Sequence, residues 1–359
     1  MNRDAHFDCQ RSAREDILDS DKGAPELPHI LRSIIEWGSF STSLQPSKRY
    51  NPMRPVMQWY YSRKIDLYLH RELDKRFEEH VSLKEETKKS KATPSRSIIA
   101  CALDHYLASR PGTPPTYLDQ HFRRALTSQI RLFVMAGHDT TASALTYAYH
   151  LLYTNPSCIA RLRKEHDEVF GPNTNEAAEK LVNNPNYINN LLYTDAVVKE
   201  TLRLFPSVSS IRAGRPDTIL TGQDGTKYPT EGCSVYSIHL ALHRSTDVWP
   251  KANSFVPERW LADPGDPLYP PKGAWRPFEW GPRNCIGQTL ALVEIKAALV
   301  MTVRDLDIEE CYEEWNRLHG QVMRGTETLM GDRAFQVEGG AGAARPLERY
   351  PCRVKAASM

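Results

Sequence analysis

The sequence predicts a mainly α-helical protein with a small β region, an α+β fold, and three observations carry that prediction. Apolar residues recur at helical spacing in several long stretches. Short strand-like runs joined by a turn signal are confined to one region after Asp217. Between Trp249 and Pro277 the prolines crowd together (Pro250, Pro257, Pro264, Pro267, Pro270, Pro271 and Pro277), which predicts ordered but irregular coil. The 359 residues, 40% hydrophobic and 25% charged, supply ample material for a core.

Residues 1–45 offer no firm element, and 46–359 read as one domain. In the stretch beginning at Met57, Ile65, Leu67, Leu69, Leu73 and Phe77 are spaced for a helix, and Lys84 to Ser97 reads as a charged, solvated loop. After the breaker Ser109 to Thr116, a long run from about Tyr117 to Tyr153 carries so few charges at its centre that a buried helix is expected. Asn155 and Pro156 then form a helix start, and Gly171 a stop. A further helix covers Leu191 to Phe205 and ends at Pro206. From Asp217 short strands follow, turning at Asp224-Gly225, and Ile286 to Arg304 reads as another buried helix.

Composition excludes several functions. Lys and Arg number 46 against 44 Asp and Glu, so the chain has no electrostatic footprint for nucleic acid or an anionic membrane. Seven scattered cysteines without a C-x-x-C pair argue against a zinc or dithiol centre and for a reducing compartment. The polar start contains no apolar stretch suited to a signal peptide or membrane span, so no membrane anchor is expected in this chain.

One cysteine stands apart. Cys285 lies in the turn Gly281-Pro282-Arg283-Asn284 that runs into an apolar helix. Gly281 and Gly287 allow the backbone to approach a flat partner, Arg283 offers a fixed cation, and the N–H groups of the next helix would favour a thiolate. A small buried hydrophobe is the plainer reading of an isolated cysteine. A thiolate poised for a soft metal or an electrophile is the sharper one.

The pattern Phe278-x-x-Gly281-x-Arg283-x-Cys285-x-Gly287 resembles the haem-binding loop of the cytochrome P450 family. Three further stretches are similar to family motifs, in the family's order. They are Ala136-Gly137-His138-Asp139-Thr140-Thr141, Glu200-Thr201-Leu202-Arg203, and Pro257-Glu258-Arg259-Trp260. The resemblance is strong from Tyr117 to Lys355 and fainter from Pro46 to Phe77.

It implies haem b (iron protoporphyrin IX) with the Cys285 thiolate as axial iron ligand. It also implies Ala136 and Gly137 lining the pocket, Asp139 and Thr140 relaying protons, and Arg283 pairing with a propionate. Arg212 aligns loosely with a second propionate partner. Glu200, Arg203 and Arg259 would form a buried ion-pair triad behind the loop, and His138 is incidental. Trp59 and Arg63 have the W-x-x-x-R spacing of a family propionate site, but so close to the oxygen-relay helix that coincidence explains them.

The activity implied is oxidoreductase chemistry: a monooxygenase placing one atom of O2 into a small apolar organic substrate. Electrons would come from an NADPH-dependent cytochrome P450 reductase, because no nucleotide-binding fingerprint is present. The loop and the chain's ending look similar to fungal microsomal members of secondary metabolism, which implies the cytosol or the cytosolic face of the endoplasmic reticulum. Full-length family members carry more residues before this point, so an inactive remnant is an alternative. A cysteine-nucleophile hydrolase with His243 or His239 as base is a remoter one.

Overall fold

The computed structural model describes residues 26–37, 51–87, 97–110, 115–319, 334, 343–346 and 350–357. The structure divides into two compact units, one covering Ser12–Ala136 and the other built from Gly137–Met359. The division falls inside one long helix.

In the first unit, α1 (Glu26–Trp37), α2 (Arg54–Thr87), α3 (Ile98–Ala108) and the start of α4 (Gln120–Thr154) share one apolar core. Ile65, Leu69, Leu73 and Phe77 recur every four residues on α2, so all four fall on the buried stripe. Leu67, two residues from both Ile65 and Leu69, faces solvent instead. The solvated loop expected from Lys84 begins later, since α2 continues to Thr87, and residues 88–96 lie outside the described part. Trp59 and Arg63 are both exposed on α2.

The second unit is organised by four helices. They are the rest of α4, α5 (Pro156–Phe170), α7 (Leu192–Leu204) and α9 (Gln288–Thr302). Ala144 and Leu152 of α4, Leu162 of α5, Val197 and Leu202 of α7, and Ile295 and Leu299 of α9 form its main core. Between α5 and α7 lie α6 (Glu176–Asn183) and a 3₁₀ turn at Pro185–Asn190, neither of which the sequence pattern revealed. Pro156 does open α5, but Asn155 does not cap it: its Nδ2 donates back to Leu151 O at 2.8 Å, closing α4.

The β region consists of three antiparallel pairs. β1 (Ser210–Ala213) pairs with β4 (Ser234–Ser237), with Arg212 opposite Val235. β2 (Ile219–Thr221) and β3 (Lys227–Pro229) form the expected hairpin around Asp224-Gly225. β5 (Leu306–Glu310) pairs with β6 (Cys352–Ala356), and α8 (His239–His243), a 3₁₀ turn at Pro257–Trp260 and α10 (Tyr312–His319) complete the described elements.

Two expectations of burial need correction. Leu132, Phe133 and Ala136 of α4 are exposed in the first unit, and Gly137 and His138 are exposed in the second. On α9, Leu290 and Val293 face outward while Ile295 and Leu299 are buried. The centre of α4 and the whole of α9 carry few charges, yet each covers the core with only one face. Among the described residues no helix is long and apolar enough to cross a membrane.

Candidate haem site

The loop around Cys285 is seated on the core by its first residue. Phe278 packs against the α4–α5–α7–α9 cluster and meets Trp275 edge to face at 5.9 Å. Its carbonyl accepts the Cys285 N–H at 2.9 Å, so the loop closes on its own anchor. Two residues in left-handed conformation make that closure possible, Glu279 (φ 65°) and Gly281 (φ 86°). Asn284 N–H then bonds to Gly281 O at 3.0 Å, and Gly287 leads into α9.

Cys285 is exposed. Around it lies apolar ground that a folded chain would ordinarily cover: Ile286 is 88% exposed and Leu290, one helical turn on, 62%. A Cβ placed on Gly287 would sit 3.7 Å from the Cys285 sulfur, so the glycine keeps the thiol's flank low. Arg283, two residues before the thiol, is exposed and pairs with no carboxylate among the described residues.

α4 meets α9 beside this loop. Thr141 Oγ1 donates to Glu294 Oε2 at 3.5 Å, and Ala144 shares the core with Ile295. One turn earlier on α4, Gly137 is exposed, with nothing within 4 Å of where a Cβ would stand. Asp139 is mostly buried: its carboxylate accepts the Ala343 N–H and lies 3.9 Å from Arg345. The Thr140 carbonyl accepts from Ser207 Oγ at 3.1 Å. Ala136 belongs to the other unit.

Behind the loop, Glu200 is the hub of a fully buried cluster. Arg203 grips its carboxylate with two hydrogen bonds of 2.9 and 2.8 Å, and Arg259 Nε reaches both oxygens at 3.0 Å. Trp260 Nε1 and Val256 N–H add two more at 3.0 Å each. The remaining guanidinium N–H groups of Arg203 go to the carbonyls of His243, Ala252 and Ser254. One carboxylate and two guanidiniums without solvent are tolerable only because nearly every donor and acceptor is satisfied. The cluster fastens α7 to the 3₁₀ turn Pro257–Trp260 and to the Pro-rich coil that leads into the loop.

Arg212 stands at the other side of the loop, on β1 and about half exposed. Its Nη2 lies 3.7 Å from Glu279, a loop residue. Glu279 also accepts from Ser210 Oγ and sits 3.6 Å from His239 Nε2. The Ser210 hydroxyl above all holds its carboxyl below the usual range; burial opposes this, and the charges of His239 and Arg212 add to the lowering. Sequence reasoning missed Glu279. Its only signal was a charged residue where the loop bends.

Each of the two histidines weighed as hydrolytic bases has one ring nitrogen engaged elsewhere. His243 Nε2 accepts the Arg276 N–H at 2.8 Å, and burial, with His239 and Arg203 nearby, pushes its pKa down to about 3. His239 Nδ1 faces Val208 O at 3.1 Å. Neither offers that nitrogen's lone pair to Cys285.

These features together define a loop that presents its thiol beside open apolar ground. A haem of the thiolate-ligated kind needs a soft axial ligand, flat apolar contact and cations for its propionates. Cys285, then Ile286, Leu290 and Gly137, then Arg283 and Arg212, are residues that fit those needs. Among the described residues no three His, Cys, Asp or Glu side chains converge as a metal cage would require.

The family model described as Cytochrome P450 matches residues 25–330. The chain is 36% identical over 337 residues to the cytochrome P450 monooxygenase polC of Polytolypa hystricis, covering 94% of this chain and 59% of that protein. It is 31% identical over 323 residues to the cytochrome P450 monooxygenase acrF of Aspergillus aculeatus, covering 85% and 62%. It is also 37% identical over 188 residues to mouse cytochrome P450 4V2, covering 51% and 33%. The chain belongs to the cytochrome P450 family, and it spans about three-fifths of the length of these two fungal relatives.

Proposed function

We propose that this chain is the oxygen-activating part of a haem-thiolate monooxygenase that inserts one atom of O2 into a small apolar organic substrate, in secondary metabolism. The observation that carries this reading is the closed loop from Phe278 to Cys285, which leaves a single thiol exposed beside uncovered apolar side chains. When bound, the haem supplies the dioxygen chemistry, with electrons from a separate NADPH-dependent reductase.

The chain's own residues divide the remaining work. Cys285 would give its sulfur to the iron, and Arg283 and Arg212 would hold the two propionates. Gly281 shapes the loop. Gly137 and Gly287 keep side chains out of the way of a flat macrocycle. Asp139 and Thr140 would relay protons, and the contacts of the Asp139 carboxylate to Ala343 N–H and Arg345 keep it in place. Glu200, Arg203 and Arg259 take no part in the reaction; they fix the coil that carries the loop. Reductase docking falls to the Pro-rich coil and basic side chains near the cysteine face, in the cytosol or on the cytosolic face of the endoplasmic reticulum.

Reconstitution with one equivalent of ferric haem tests the assignment by electron paramagnetic resonance. Low-spin thiolate ligation in the unsubstituted chain, absent from Cys285→Ala, supports it. A signal of bis-histidine type, or one indifferent to Cys285, rejects it.

A further inference from the structure

Glu279 is a carboxylate in the wrong place for a protein that must welcome a haem. Ser210 Oγ, Arg212 Nη2 and His239 Nε2 converge on it from β1 and the first turn of α8, and these are the groups from which an anion site is made. His239 is buried, its Nδ1 committed to Val208 O, and its Nε2 has no hydrogen-bond partner although it lies 3.6 Å from the carboxylate. Arg212 is held no better: its closest approach to Glu279 is 3.7 Å, and its other terminal nitrogen donates to the carbonyl of Ile211. The cluster is an anion site filled from within by a side chain that fits it imperfectly.

We propose that Glu279 is an internal competitor of a haem propionate for the Arg212 site, so that the cysteine loop resists loading and releases haem more readily than its ligands alone would dictate. This rests on the reading of Arg212 as a propionate partner. The physical reason is like-charge crowding: a propionate reaching Arg212 meets a second carboxylate on the same guanidinium, one whose pKa the Ser210 hydroxyl and nearby cations hold down despite partial burial. The backbone adds a second sign of cost. Glu279 adopts φ 65°, a conformation that suits glycine and is seldom taken by a side chain of this kind, so the carboxylate is kept there against local preference.

The test is the rate at which the reconstituted protein surrenders haem to an excess of a haem-scavenging apoprotein. Glu279→Gln removes the charge at nearly constant shape. Glu279→Gly removes the side chain and relieves the backbone, so it guards against a variant that fails to fold. Both are expected to lose haem about threefold to fivefold more slowly than the unsubstituted chain, the scale of a partly exposed charge pair. Arg212→Leu should then speed haem loss more in the Glu279→Gln background than in the unsubstituted chain, because the guanidinium is no longer shared. Equal or faster loss from both Glu279 variants overturns the proposal and makes the carboxylate a support for the loop. If Arg212→Leu changes nothing in either background, the propionate role of Arg212 is wrong and the competition goes with it. If no variant takes up haem, the haem-thiolate reading itself falls.

Discussion

Arg259 donates its Nε–H to both carboxylate oxygens of Glu200 at 3.0 Å, across 59 residues of sequence, and neither side chain has any solvent exposure. The same carboxylate neutralises Arg203. Glu200→Gln would leave two guanidiniums buried around a neutral amide, which should destabilise the fold by about 3–5 kcal/mol. Urea unfolding monitored by circular dichroism measures it. A loss under about 1 kcal/mol would mean that water reaches the cluster.

At Gly281 the cost of a side chain should come from the backbone alone. Its φ is 86°, and an added Cβ would meet nothing within 4 Å. Gly281→Ala is therefore expected to lower stability by about 1–2 kcal/mol without perturbing the packing of Phe278. Near-ultraviolet circular dichroism should stay native-like while the urea midpoint falls.

Acid should weaken the second unit through two buried imidazoles. Burial, with a contribution from Arg304, pushes the pKa of His166 down to about 4, and that of His243 lies at about 3, both from an ordinary value of 6.5. A depressed histidine pKa means that the fold prefers the neutral ring. Its contribution is complete above pH 6.5 and is lost as pH falls from 6.5 towards 4 and 3. Stability should therefore drop by up to about 1.4 kcal/mol per pH unit for each ring across that window. Substituting His166 by Gln should flatten the dependence by about half.

Arg283→Leu isolates one cation at the proposed propionate contact. The guanidinium is exposed, so solvent screens it, and its removal should speed haem loss roughly fivefold rather than abolish binding. Unchanged loss would leave Arg283 with no propionate role.

The helices and the four motif stretches could be read from the sequence because their signals are local. Helical spacing marks α4, α5, α7 and α9, and the loop pattern depends on glycines and a cysteine a few residues apart. What escaped depends on contacts distant in sequence. β1 is only four residues long and becomes a strand by pairing with Ser234–Ser237, while β5 finds its partner near the end of the chain. Exposure was misjudged on α4 and α9 because apolar composition predicts a buried helix but cannot tell which face is left open.

At the site itself, residue types were legible and couplings were not. Cys285, Arg283 and the Glu200-Arg203-Arg259 triad stand in recognisable patterns. Nothing in the sequence links Glu279 to Ser210, 69 residues earlier, or Asp139 to Ala343, 204 residues later. Asn155 illustrates the same limit at short range: its place before Pro156 predicts a cap, yet its amide serves the helix already ending there.

The most direct test of the central claim is the absorption spectrum of the haem-reconstituted chain, reduced and exposed to carbon monoxide. A strongly red-shifted Soret band of the thiolate-ligated kind, lost in Cys285→Ala, is the predicted result. A band typical of histidine ligation, or one that survives that substitution, would contradict the assignment of Cys285 as the iron ligand.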